Sequence, residues 1–218
     1  MNLGDPSQLE WHFFVPCLDE EAVIGRTITY LRQMFRIAHV WVVDDASDDR
    51  TATVVRNLRR IDGRHVHHVQ RYRPQARTGK ADALNAAYRA LKAWHGRHAM
   101  PERAIVIVLD AGSLPLWNCL GMTTTQFADP QVGAVQVDVR TGSAGQGWLK
   151  RLASARLARR GDTEPLCRNG QFIRLSALDS IAGPESRPWH GPQLPVAGWQ
   201  AGHTRETYVY QRPTDRAA

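Results

Sequence analysis

The chain has 218 residues, 43% of them hydrophobic and 22% charged, which suits a soluble globular protein of one domain and excludes a disordered or fibrous class. No uninterrupted apolar run approaches the roughly 20 residues that a transmembrane helix needs, and Met1 to Glu10 is too polar for a secretory signal. The net charge of +7 favours anionic partners such as phosphates, nucleic acid or an anionic membrane surface, without choosing among them.

Trp11 to Pro16 reads as a first strand, closed by a proline that cannot continue a central ladder. A loop from Cys17 to Glu21 leads into Ala22 to Phe35, where Val23, Ile24, Ile28, Leu31 and Phe35 have helical spacing. Val40 to Val43 is a buried strand ending in Asp44 and Asp45, followed by a polar loop and a helix from Thr51 to Arg60. Four acids stand within Asp44 to Asp49. Helix capping requires one or two of them, and strand carboxyl ends are where open α/β sheets bind ligands. Arg64 to Gln70 suggests a third strand, His65 and His67 on one face and Val66 and His68 on the other. An exposed edge strand is the expectation there rather than a metal site.

Arg71 to Arg77 is a basic loop, and Ala81 to Trp94 a helix rich in alanine and leucine. Ala104 to Leu109 is the clearest buried strand, ending at Asp110-Ala111-Gly112-Ser113. Gly133 to Val139 alternates as a strand. Gly142 to Gly147 reads as a glycine-rich loop and Trp148 to Arg160 as an amphipathic basic helix. Beyond Asn169 to Arg174 and a short helix from Leu175 to Ile181, prolines and glycines between Gly183 and Gly202 predict irregular structure. Thr207 to Gln211 is expected to close the domain as a strand. Alternating strands and helices imply a doubly wound, mostly parallel α/β sheet.

Cys17, Cys119 and Cys167 are widely spaced, with no CxxC pair; free thiols in a reducing, cytoplasmic compartment are expected. Gly79-Lys80 is not a P-loop, because Pro74 stands at the first glycine position and Ala81 where Ser or Thr would bind magnesium. No GxGxxG follows a strand, and no GxSxG nucleophile elbow is present. What remains is a series of polar clusters at successive strand ends.

Those clusters, Val15 to Glu21, Val42 to Thr51, Gly79 to Asn85 and Val108 to Ala111, occur in an order and spacing that resemble family 2 glycosyltransferases. Asn169 to Leu178 is similar to a segment of the processive, membrane-associated members. The resemblance spans roughly Phe13 to Gln211. It implies a GT-A fold over 1–218, with a nucleotide-binding half at about 11–112 and an acceptor-side half at about 113–211. It also implies a nucleotide-sugar donor, usually a UDP-sugar. By position Pro16 and Glu20 border the nucleoside pocket, Asp45 accepts from the base, Lys80 lies near base or phosphate, and Asp110 holds the ribose.

Three departures accompany the match. The family's DxD pattern places a second acid, a Mg²⁺ or Mn²⁺ ligand, where this chain has Gly112. Asp110 alone is then the candidate metal ligand, and weak cation binding is expected. Near Trp189 the family carries a general-base Asp, whereas this chain runs Pro188-Trp189-His190-Gly191-Pro192 with no acid. The imidazole of His190 is the candidate substitute, against the favoured reading of a surface histidine in a proline-rich loop. The QxxRW segment and following transmembrane helices of processive relatives are missing, so a polymer-extruding synthase in a single chain is not expected. Two readings follow: a soluble transferase moving a hexosyl group to an unidentified acceptor, and a catalytically inactive pseudoenzyme serving as a nucleotide-binding module or scaffold. A partner protein could complete the site. A nucleic-acid partner, resting only on charge and Lys150 to Arg160, is disfavoured.

Overall fold

The computed structural model describes residues 4–96, 100–141, 169–182, 188–190 and 197–211. Strand β1, Glu10–Cys17, is the centre of the sheet. Its run from Trp11 to Val15 is wholly buried because both faces are covered. Trp11, Phe13 and Val15 enter one hydrophobic layer and Phe14 the other, the alternation expected of a strand between two helical layers.

Around β1 the sheet contains β2 (His39–Asp44), β3 (Val66–Gln70), β4 (Ala104–Val108), β5 (Ser113–Pro115), β6 (Val132–Thr141), β7 (Gln171–Arg174) and β8 (Gln200–Gln211), in the order β3-β2-β1-β4-β7-β6-β8-β5. The first four strands in that order are mutually parallel, as are β6 and β8. The pairings β4–β7, β6–β7 and β5–β8 are antiparallel. Helices α1 (Ile24–Met34) and α2 (Thr51–Ile61) pack on one face through Ile24, Ile28, Leu31 and Val55. Helix α3 (Lys80–His95) covers the other face through Leu84, Ala87, Tyr88 and Leu91. Helix α4 (Cys119–Phe127) joins the first layer, and α5 (Leu175–Ile181) the second. From β1 the chain moves outward to β2 and β3, and α3 then returns it to β4 on the far side of β1. That reversal opens a crevice at the carboxyl ends of β1 and β4, the usual ligand position of such sheets.

Several expectations are corrected. Pro16 does not end β1: it pairs with Val43, and the strand continues to Cys17. The carbonyl of Phe14 accepts from Leu109 N–H on the β4 side. Two residues on, Pro16 turns its nitrogen to the same side, past the last β1–β4 rung at Phe14–Val108, so no ladder hydrogen bond is lost. Strand β3 is an edge strand, as expected, but its histidine face is covered. The His67 ring stacks on Trp41 at 3.9 Å, and Trp94 from the last turn of α3 lies against both. The final strand begins at Gln200, within the segment expected to be irregular. Strand β5 and helix α4 had no counterpart in the sequence reading. The expected loop Gly142 to Gly147, the basic helix Trp148 to Arg160 and Cys167 lie outside the described residues.

Arg174 places a guanidinium in the core. It is buried and donates to the carbonyls of Phe127 (2.8 Å), Asp129 (3.2 Å), Val132 (3.2 Å) and Glu102. Four acceptors satisfy a guanidinium that burial pushes below its ordinary pKa. Among the described residues, no helix is long and apolar enough to cross a membrane.

Candidate functional site

The loops after β1 and β2 are stitched together by their own polar groups. Asp19 N–H donates to Ser47 Oγ (3.0 Å) and Asp48 N–H to Asp19 Oδ1 (2.7 Å). Glu20 N–H donates to Thr51 Oγ1 (2.9 Å), Glu21 N–H to Asp49 Oδ2 (3.0 Å), and Arg50 N–H to Glu21 Oε2 (2.7 Å). These backbone donors favour the ionised carboxylates, and the Asp49 and Glu21 pKa values are lowered. Burial opposes this at Asp49 but is outweighed by hydrogen bonds from Thr51 and Glu21; at Glu21 the donors on Arg50 act. Asp44, fully buried, accepts from Ser47 N–H (2.9 Å) and Gln70 Nε2 (3.2 Å). Most acids of the Asp44 to Asp49 run therefore hold the loops in place. Asp49 accepts from Thr51 N–H (2.8 Å) at the start of α2. Asp48 pairs with Arg77 at 2.6 Å.

Asp45 has a different environment. Its backbone N–H donates to Cys17 carbonyl (3.0 Å), which extends the β1–β2 ladder by one rung. Its carboxylate accepts from Arg71 Nη1, and both side chains are about nine-tenths buried. Arg71 follows β3 and also donates to Gln75 carbonyl and to Thr78 Oγ1 (3.1 Å), ordering the basic loop. Arg77 reaches back from that loop to the carbonyl of Ala46 (2.9 Å) and to Asp48. Lys80, the first residue of α3, donates to Asp110 Oδ1 past the end of β4. Asp110 N–H donates to Asn169 Oδ1 (3.1 Å), and Asn169 Nδ2 to Ser113 Oγ (3.0 Å). Two groups thus stand at the strand ends: Asp45 with Arg71, flanked by Arg77, after β2 and β3, and Lys80 with Asp110 past β4. Pro16 lies on β1 at the crevice rim and Glu20 in the β1–α1 turn. His190 ends a 3-10 turn, Pro188–His190, and its side chain lies outside the described residues.

Backbone strain collects in the same place. Among the described residues, the non-glycine residues with positive φ are Asp19 (55°), Ala46 (63°) and Arg77 (61°), all on crevice loops. Such conformations cost roughly 1–3 kcal/mol each and persist where surrounding contacts enforce them, often at ligand sites.

The residues around Asp110 do not suit a divalent cation. One carboxylate oxygen holds the Lys80 ammonium and the other faces Gln211 Nε2 at 3.5 Å. Gly112 offers no side-chain oxygen, and its N–H is bonded to Thr27 Oγ1 at 3.0 Å. A hard cation takes six or more oxygens and would meet a positive charge here. Cys17 is no nucleophile: burial, then the charge of Asp44, pushes its thiol far up, and its Sγ–H donates to Val43 carbonyl.

Sequence reasoning missed Asn169, Gln211 and Arg77. The Asn-Gly step, with Gly170 at φ 74°, was the one local signal for Asn169. Gln211 and Arg77 reach the site through sheet order alone.

A family model, Glycosyltransferase like family 2, matches residues 10–175. A beta-monoglucosyldiacylglycerol synthase of Synechocystis sp. is 31% identical over 196 residues, covering 83% of this chain and 38% of that protein. The Trichormus variabilis protein of the same name is 30% identical over 182 residues, covering 78% and 36%. The chain therefore spans well under half the length of these curated relatives. A solved mannosyltransferase from Pyrobaculum calidifontis, in complex with GDP-Man and Mn²⁺, superposes with a TM-score of 0.68 at 23% identity, over 98% of this chain and 60% of that one. S. aureus TarS in complex with UDP-GlcNAc gives 0.60 at 12% identity, over 96% and 60%. The fold is GT-A: a mixed, curled sheet flanked by helices.

Proposed function

This chain belongs to glycosyltransferase family 2, and on that premise we propose that its crevice binds a nucleotide-sugar donor, a UDP-sugar, without a divalent cation. Residues 11–112 carry the donor side and 113–211 the acceptor side. The observation that carries the reading is the buried Asp45–Arg71 pair at the carboxyl ends of β2 and β3. One carboxylate oxygen takes the guanidinium and the other accepts an imide N–H from a base. Arg71 donates to an adjacent base carbonyl. An acceptor beside a donor matches the uracil edge, and a site so built rejects a base lacking the pattern. Pro16 and Glu20 border the nucleoside, and Asp110 accepts from the ribose hydroxyls.

Phosphate charge is met by side chains in this reading. Arg71, Arg73, Arg77 and Lys80 face Asp45, Asp48, Asp19 and Asp110, in ion pairs reaching 3.8 Å. Without nucleotide the network neutralises itself. A diphosphate draws Lys80 and Arg77 from their carboxylates and takes their hydrogen bonds, a preorganised substitute for a cation. A hexosyl acceptor binds across the remaining crevice.

The second reading is a pseudoenzyme that binds nucleotide without transfer. It is favoured by the occupied Asp110, held by Lys80 and Asn169, together with a sequence lacking the family's general base. The test is calorimetric titration of the protein and of Asp45→Ala with UDP, GDP and uridine. UDP binding that Asp45→Ala weakens tenfold or more, as loss of a hydrogen bond to a charged group requires, supports the base pocket. Affinity unchanged by that substitution refutes it. Release of free sugar or transfer from a UDP-sugar then separates enzyme from pseudoenzyme.

A further inference from the structure

We infer that Glu10, His12 and His95 form a binding site for one zinc ion at the amino end of β1, the opposite end of the sheet from the nucleotide crevice. Glu10 Oε2 lies 3.2 Å from His95 Nε2 and 3.9 Å from His12 Nε2, and the three groups can present ligand atoms within 4.8 Å of one another. Two ligands on a tetrahedral zinc, with bonds near 2.1 Å, stand about 3.4 Å apart. A small movement of the Glu10 side chain, which is 56% exposed, brings both of its distances to that spacing, and the His12 and His95 ring centroids stand 5.1 Å apart.

The imidazoles supply the second observation. His12 is fully buried, and its Nε2 has no hydrogen-bond partner; His95, its side chain 4% exposed, has none on either ring nitrogen. Buried polar atoms are bonded in the great majority of cases. Here orphaned ring nitrogens converge on one carboxylate, and a metal would satisfy two at once. Two imidazoles and a carboxylate suit zinc and its neighbours in the transition series, and do not suit magnesium or calcium. Zinc there would staple the last turn of α3 to the start of β1, and α3 begins at Lys80 in the crevice.

Trp41 supplies an internal reporter. Its indole N–H donates to His12 Nδ1 at 3.3 Å, so the metal-free ring carries its proton on Nε2. Zinc takes the Nε2 lone pair, Nδ1 is protonated in exchange, and the ring stays neutral while Trp41 loses its acceptor. Zinc affinity is therefore expected in the micromolar range.

The test is zinc titration of the metal-stripped full chain, read by calorimetry and tryptophan emission. One equivalent with a change in emission is expected. His95→Ala and Glu10→Gln should weaken binding at least about tenfold; Glu10 is exposed and His95 ends α3, so both are safer to alter than His12 within β1. His203→Ala, which removes the pair of His203 with Asp138 (3.0 Å), should leave binding unchanged. Absence of stoichiometric zinc, equal affinity in His95→Ala and Glu10→Gln, or loss of binding in His203→Ala would each overturn the inference. None of these outcomes depends on nucleotide binding.

Discussion

Gly112→Asp places an acid two residues after Asp110, where the family resemblance expects one. Gly112 has φ +80°, and a Cβ there would meet only Val23 side-chain atoms, at 3.8 Å or more. Space is therefore available and the cost is conformational. A left-handed residue costs roughly 1–2 kcal/mol, and aspartate stands at the tolerant end. For a chain of this size about 1 kcal/mol lowers Tm by roughly 2–4 °C. If the new carboxylate and Asp110 together bind Mn²⁺, a cation at 100 times its Kd returns about 2.7 kcal/mol, more than the strain. Thermal melts with and without Mn²⁺, in the presence of UDP, read both effects. The variant should melt lower without metal and gain about 5–10 °C with it, while the natural protein gains nothing. An equal Mn²⁺ shift in both proteins, or none in the variant, would refute the assignment of Gly112 to the lost ligand position.

Lys80→Ala should weaken UDP about tenfold, the low end for a charged hydrogen bond at a one-third exposed side chain, and leave uridine affinity unchanged in the same titration. Equal losses would move Lys80 from the phosphates to the base. Ala46→Gly removes a left-handed alanine (φ 63°), so urea denaturation should show unchanged or slightly increased stability. Ala93→Gly, at an exposed position of α3, should instead cost about 1 kcal/mol. Burial raises the Asp62 pKa, but hydrogen bonds from Arg32 and His65 outweigh it and hold the carboxyl at about 2. A depressed acid stabilises the fold above its unfolded pKa of roughly 3.9 and loses that contribution as pH falls toward 2. The Tm gap between the natural protein and Asp62→Asn should be full above about pH 4 and should close toward pH 2. A gap that does not narrow would contradict the pairing.

The sequence exposes most readily what the sheet buries on both faces. Strand β4 is an unbroken apolar run, as are Phe13 to Val15 of β1 and Val40 to Val43 of β2, and α3 has an alanine and leucine stripe. Helix α4 shows no such stripe because Cys119, Leu120, Met122, Thr123 and Phe127 are buried around much of its circumference, and it lacks a side-chain cap. Strand β5 is three residues ending in proline. The His65–His67 face reads as exposed because its cover, Trp94, arrives from nearly thirty residues onward. Within the site, Asp45, Lys80 and Asp110 stand out at strand and helix ends. Arg71 shows only as part of a basic loop and Asn169 only by its Asn-Gly step, while Gln211 is brought in by sheet order, which no local pattern encodes.

The central claim is nucleotide recognition by side chains alone, and calorimetric titration of the natural protein with UDP, in EDTA and again in Mn²⁺, tests it most directly. The Asp45–Arg71 pair and the cations around it predict micromolar binding at one site, with the same affinity in both buffers. Binding that appears only with Mn²⁺, or no binding in either buffer, would contradict it.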